Sequence, residues 1–378
     1  MKNSRDIMII KLLFLLLIET ANCVVSDPLE IRQFNLAVNL ELSSETSANG
    51  SIGDLDGDGD LDIVLAKGRH WPLHNRILLN DGSGEFLEAS NLGDAPDRTY
   101  STVLADLDKD GDLDIVVSND SPDNKLIYLN DGRAKFVVSG TWGSPKWNTR
   151  NASVADMNGD GFLDLIAANR NSPSYVCMNN GKGGFNATDF LKIPSESATT
   201  IVPADFNGDG FIDLAIPHRD GGQSDIFFND GKAGFLKTKP FGPAKTFSRA
   251  AAAGDLNNDG HLDLVVGDER RGAFVYLNNG RGEFGEGFLI GDKALAVGAI
   301  AIGDMNRDGM RDIVVGYANA PGSVFYNQGK GLDFLQLRFG DGKGAVYGIA
   351  LGDLNNDEYP DIVVARSEAP NTVYVSKS

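Results

Sequence analysis

Nine-residue segments of the form D-x-[DN]-x-D-G-x-x-D recur along this 378-residue chain. Carboxylates at that spacing do one kind of chemistry: they surround a hard cation. The segments read DLDGDGDLD from Asp54, DLDKDGDLD from Asp106, DMNGDGFLD from Asp156, DFNGDGFID from Asp205, DLNNDGHLD from Asp255, DMNRDGMRD from Asp304 and DLNNDEYPD from Asp353. Aspartate repels aspartate, by about 1 kcal/mol at 4 Å in bulk water and by more inside a protein. A cation removes that repulsion. The spacing offers side-chain oxygens from positions 1, 3, 5 and 9 and a backbone carbonyl from position 7, with the position-6 glycine making the sharp turn. Oxygen donors in a flexible loop suit Ca²⁺, with ligands at about 2.3–2.6 Å, better than the tight octahedron of Mg²⁺.

The expected donors are Asp54, Asp56, Asp58 and Asp62 with the Asp60 carbonyl; Asp106, Asp108, Asp110 and Asp114 with Asp112; and Asp156, Asn158, Asp160 and Asp164 with Phe162. Next come Asp205, Asn207, Asp209 and Asp213 with Phe211, then Asp255, Asn257, Asp259 and Asp263 with His261. Asp304, Asn306, Asp308 and Asp312 with Met310, and finally Asp353, Asn355, Asp357 and Asp361, complete up to seven sites. Two loops carry aspartate at position 3 (Asp56, Asp108) where the others carry asparagine, so they should bind the ion most tightly. In the last loop Glu358 replaces the glycine, which makes that site the weakest. One acidic loop alone could be a solvated turn; seven in register are not. An EF-hand needs flanking helices and a glutamate at position 12, whereas strand-like runs flank these loops.

Those runs define the elements. The first aspartates lie 52, 50, 49, 50, 49 and 49 residues apart, a period that points to a repeat architecture. Each acidic loop sits between short apolar stretches such as STVLA and DIVVS, and about a dozen residues later comes an Asn-Asp-Gly or Asn-Gly hairpin signal, as in LLNDGSGEF. The expectation is four antiparallel strands per repeat, the third and fourth joined by a type I′ turn, forming an all-β, seven-bladed propeller. A phenylalanine stands 20 residues before the first aspartate at Phe34, Phe86, Phe136, Phe185, Phe235 and Phe284, while the chain ends one strand short. The N-terminal QFNLAVNLE should therefore complete the last blade and close the ring.

Through these acidic loops and their period the sequence resembles the FG-GAP or VCBS repeat family, whose relatives include the propellers of integrin α subunits. The resemblance covers about residues 31–378 and implies Ca²⁺ in the loop between the first two strands of each blade. It is weak for function, because such propellers occur in adhesion proteins, lectins and polysaccharide-degrading enzymes.

The formal net charge of −19 argues against a nucleic-acid partner. Residues 1–23, with Lys2, Arg5 and Lys11 before an apolar run and small residues up to Cys23, resemble a secretory signal, so the expected product is the secreted propeller 24–378. Lipid anchoring at Cys23 is the alternative. The apolar run is short for a membrane span, and Cys177 reads as a small core residue. No nucleophile elbow, P-loop, dinucleotide fingerprint or H-E-x-x-H motif is present. Three readings remain: a binding module for a glycan or an extracellular protein, a polysaccharide lyase, and a purely structural or adhesion unit.

Connectivity puts the acidic loops and Asn-Gly turns on one face of the disc. The irregular segments of the opposite face hold Arg69, His70, Trp71, Trp142, Trp147, His218 and Arg219. Tyr100, Arg150, Arg249 and Tyr347 each precede a first aspartate by six residues, which places them at the start of an inner strand, facing the central opening. These residues form the expected ligand site. Aromatic rings would stack on sugars, and arginines would pair with carboxylate or sulfate groups, with an anionic glycan as the first choice.

Overall fold

The computed structural model describes residues 31–377 apart from Leu87, Glu196, Lys330 and Gly331; the expected signal segment and Cys23 lie outside them. Each repeat folds as a four-stranded antiparallel sheet, and seven sheets form a ring. In the first blade the strands are Ser47–Gly53, Asp62–Lys67, Arg76–Leu79 and Glu88–Asn91. The inner strands of the next five are Thr99–Ala105, Thr149–Ala155, Val202–Ala204, Ser248–Gly254 and Val297–Gly303. Second strands such as Asp114–Asn119 and Asp164–Asn169 are buried along their whole length, because neighbouring blades cover both faces. That is why they read as unbroken apolar runs rather than alternating ones.

Ring closure is as expected. Gln33–Asn39 pairs antiparallel with the last strand, Thr372–Lys377, as the outer strand of the blade whose inner strand is Ala345–Gly352. Blades one and seven share an apolar core of Ile63, Leu65, Leu78, Leu354, Val363 and Val373. Cys177 lies wholly inside the third blade, where burial pushes its thiol up to about 12. Among the described residues no helix is long and apolar enough to cross a membrane.

The Asn-Gly signals mark turns between the third and fourth strands, but not two-residue type I′ turns. In Asn80-Asp81-Gly82 only the glycine has positive φ (78°), and a second left-handed residue follows at Gly84. The turn is longer because its asparagine has another task. Asn130 Nδ2 donates to the Leu113 carbonyl of its own blade at 3.1 Å and to the Leu55 carbonyl of the preceding blade at 2.8 Å. Asn80, Asn179, Asn229, Asn278 and Asn327 repeat this clasp.

At the opposite end of the inner strands a bulge recurs. The pairing register skips one residue at Ala48, Tyr100, Arg150, Arg249, Gly298 and Tyr347. A bulge re-aims the side chain it leaves unpaired, and here six blades turn that residue towards the axis.

Candidate functional site

The acidic loops and the Asn turns share one face, as connectivity requires. In each loop the first aspartate caps the turn with both oxygens: Gly57 N–H donates to Asp54 Oδ1 (2.8 Å) and Gly59 N–H to Asp54 Oδ2 (3.1 Å). Position 5 accepts from the main chain of position 7, as Asp58 does from Asp60, Asp160 from Phe162, Asp209 from Phe211, Asp259 from His261 and Asp308 from Met310. With the loop so folded, carboxylate oxygens of Asp54, Asp56 and Asp58 lie within 4.8 Å of one another, as do those of Asp106, Asp108 and Asp114. Burial, then the neighbouring aspartate, raises the pKa of Asp56 and Asp108. In blades three to six the position-3 asparagine instead donates to the position-5 carboxylate, as Asn158 does to Asp160 at 2.9 Å. The donor set is all oxygen and anionic, which fits a hard divalent cation.

Position 9 does more than the spacing implies. Asp62, Asp114, Asp164, Asp213, Asp263, Asp312 and Asp361 are buried, and both oxygens of each accept a main-chain N–H. Burial raises Asp62 to about 6 and Asp312 to about 7. In blades one to six these carboxylates tie the loop to the Asn turn, and in blade seven Asp361 ties it to Ser376 of the last strand.

The seventh loop departs further. Glu358 adopts φ 71° and pairs with Arg307. Arg32, 7% exposed, sets its guanidinium 3.6 Å from the centre of the Tyr359 ring and 3.5 Å from Asp357 Oδ2. It also donates to Ser376 Oγ at 2.9 Å. A protein cation already stands in this loop.

On the other face the bulge residues open into a well of about 380 Å³ on the axis. Ala48, Tyr100, Arg150, Arg249, Gly298 and Tyr347 line it, and Thr199 takes the same place in blade four. Gly298 is required there, since a Cβ would lie 2.0 Å from the Val346 carbonyl oxygen. Arg69, His70, Arg170 and Arg219 reach in from the loops after the second strands. Gly68 (φ 104°) allows that loop of blade one to fold, because a Cβ would lie 2.3 Å from the Trp71 carbonyl oxygen.

Arginine and tyrosine alternate around half of the mouth. Arg150 lies over Tyr100 at 4.1 Å, Arg69 over Tyr347 at 3.8 Å, and Arg249 5.1 Å from Tyr347. The arginines also meet acids: Arg150 with Asp120 (2.7 Å), Arg249 and Arg219 with Glu269 (2.7 and 3.2 Å), and Arg170 with Asp220 (3.0 Å). Five guanidiniums against three carboxylates leave a surplus of two positive charges. Arg219, 7% exposed, is pushed down to about 10 by burial and then by Arg249. Its Nε has no hydrogen-bond partner, and neither does Arg150 Nη1, which faces Asp120 out of alignment. Tyr100 Oη lies 2.9 Å from His70 Nε2, and burial, then Arg69 and Arg150, lowers the pKa of His70, which favours the neutral imidazole.

Three expected ligand residues stand elsewhere. Trp142 is 1% exposed, its indole N–H donating to the Val117 carbonyl, so it is core. Trp147 is stacked flat on Tyr175 at 4.3 Å and packs against the core between blades two and three. His218 accepts the Gly222 N–H and shapes the loop carrying Arg219 without lining the well. Stacking of sugars on the tyrosine faces is also corrected, because arginines cover them. Trp71, 68% exposed, does not line the well either. Arg150 and Arg249 also carry acid partners of the chain itself, Asp120 and Glu269. Asp120, Asp220 and Glu269 were missed, although Asp120 and Glu269 hold the same repeat position as Arg170 and Arg219, fourteen residues after each first aspartate.

Among solved structures, two crystal structures of BBS1N in complex with ARL6DN align over 91% and 90% of this chain and 97% and 96% of theirs, at 12% identity and TM-scores of 0.59 and 0.62. An Agrocybe aegerita lectin, described as recognising non-reducing terminal N-acetylglucosamine, aligns over 86% of this chain and 87% of its own at 21% identity and TM-score 0.58. These likenesses concern the fold. No curated protein matches the sequence. The FG-GAP-like repeat model matches residues 54–117, 106–167, 156–216, 205–266, 255–315 and 304–364. Fold, period and these overlapping matches agree, and the chain belongs to the FG-GAP repeat family.

Proposed function

We propose that this protein is an exported, calcium-stabilised binding propeller that recognises an acidic glycan at the axial well, on the face away from the acidic loops. The observation that carries this reading is the arginine-rich well in a chain of net charge −19. A basic site persisting in an acidic molecule selects anions locally, and guanidinium is the group that pairs carboxylate or sulfate through two hydrogen bonds. A lectin of this fold recognises a terminal sugar, which supports a glycan over other anions. The ions in the acidic loops of blades one to six are structural: each neutralises carboxylates that otherwise repel beside a buried strand.

A glycan array probed with the wild-type protein in calcium tests the reading. Uronate-containing or sulfated glycans should be retained, and Arg150→Ala/Arg249→Ala should lose them while keeping its calcium-dependent melting temperature. Unchanged binding by that variant contradicts the site assignment.

The Tyr100–His70 hydrogen bond beside Arg69 and Arg150 favours one second reading, a polysaccharide lyase. Neutral His70 would take the proton from the carbon next to a uronate carboxylate while the arginines neutralise that carboxylate; a carbon–carbon double bond would form as the bond to the leaving glycosidic oxygen breaks, and the Tyr100 hydroxyl would give that oxygen its proton. Release of unsaturated product, read as new ultraviolet absorbance, separates this reading from simple binding.

A further inference from the structure

We propose that the well takes only the end of an acidic glycan chain, a single terminal sugar bearing a carboxylate or sulfate, and not an internal stretch of polymer; this rests on the glycan reading above. The first reason is the wall. Each of the seven blades contributes a residue to it, so the well is closed all the way round and open only along the axis. A linear polymer can cross the mouth, but only a chain end can enter along the axis. The second is size: about 380 Å³ is near the low end of the roughly 300–1,000 Å³ typical of ligand pockets, which leaves no room for a folded-back chain.

The third reason is the donor set. Arg219 is more than nine-tenths buried, lines the well, and keeps Nε without a hydrogen-bond partner, its nearest carboxylate being Asp220 at 4.0 Å. A buried donor left unmade costs free energy that an incoming acceptor recovers. It belongs to a set of arginines whose surplus charge over Asp120, Asp220 and Glu269 calls for an anion. Hydrogen-bonding walls favour a polyhydroxylated ligand over a peptide end: Asn49, Ser101, Asn151 and Thr200 line the well, while the tyrosine faces lie under guanidiniums. The apolar part of the lining, Ala48, Ala250, Ala251, Ala299, Ile300 and Ile349, is the smaller part beside these polar and charged groups.

Calorimetry on the full-length protein in calcium decides it, with five sugar probes, glucuronate, a hexose 6-sulfate, the corresponding neutral hexose, and oligouronates with either a native or a neutral terminal sugar, and with an acidic peptide beside them. Glucuronate or the hexose sulfate should bind, and should displace the native oligouronate completely. Replacing only the terminal sugar by a neutral one should weaken the oligouronate at least tenfold. Arg219→Lys should weaken binding tenfold or more at an unchanged melting temperature, since lysine cannot reproduce the guanidinium fork. Which acidic monosaccharide binds tells carboxylate from sulfate. Equal binding of end-capped and native oligouronates overturns end-on capture while leaving the glycan reading intact. Equal binding of the neutral hexose overturns the acidic requirement. Failure of every sugar, with or without binding of an acidic peptide, overturns the glycan reading itself.

Discussion

Position 9 of each acidic loop is where single residues say most about stability. Asp62 and five counterparts are buried carboxylates raised to about 6, and Asp312, the sixth, to about 7, first by desolvation. The unfolded chain titrates them near 3.8, so between about pH 4 and 7 the metal-free folded state binds more protons than the unfolded one. Their contribution to stability is then greatest at low pH and falls as pH rises through the folded values. Calcium reverses the slope, because protons compete with the ion. Melting curves in chelator should therefore rise on acidification from pH 7 to about 5, and those in calcium should fall; parallel slopes would contradict the ligand role of these loops. The asparagine clasps act at the same scale. Asn130→Ala leaves the Leu55 and Leu113 carbonyls without this donor, and should cost about 1–3 kcal/mol in denaturant titration without changing ligand binding. The sequence marks these asparagines only as turn residues, because a hydrogen bond to the neighbouring blade has no local signature.

Among the elements, the seven loops share a pattern but not one environment. Asp56 and Asp108 stand where other loops have an asparagine that donates to the position-5 carboxylate, so their loops carry one more negative charge and gain most from a cation. Asp56→Asn should weaken that site on the order of tenfold, read by calcium titration. The seventh loop has Arg32 in contact with Asp357 and Tyr359, so metal analysis of the wild-type protein should find six ions, not seven, and Arg32→Ala should not raise the melting temperature even if it frees the loop. Seven equivalent ions in the wild type would contradict this role for Arg32. Strand order, blade count and ring closure were legible because the period of about 50 residues repeats both chemistry and turns. The well was half legible. Counting six residues back from each first aspartate finds Tyr100, Arg150, Arg249 and Tyr347, but the burial of Trp142 and the acid partners of the arginines depend on packing between blades, which repeat counting does not contain.

Over the whole molecule, charge is sorted between the two ends of the axis: carboxylates gather at the C-terminal ends of the inner strands, and guanidiniums at their N-terminal ends. The two ends should be separable. Each loop filled at a hundred times its dissociation constant adds about 2.7 kcal/mol to the folded state. Excess chelator should accordingly lower the melting temperature by more than about 10 °C, while the well's arginine variants should leave that shift intact. A crystal of the full chain soaked in calcium and glucuronate examines both ends at once. The account predicts anomalous density in the acidic loops of blades one to six, and the sugar carboxylate in the axial well against Arg219 and Arg150. Ions absent from those loops, or glucuronate bound on the loop face with the well empty of it, would contradict it.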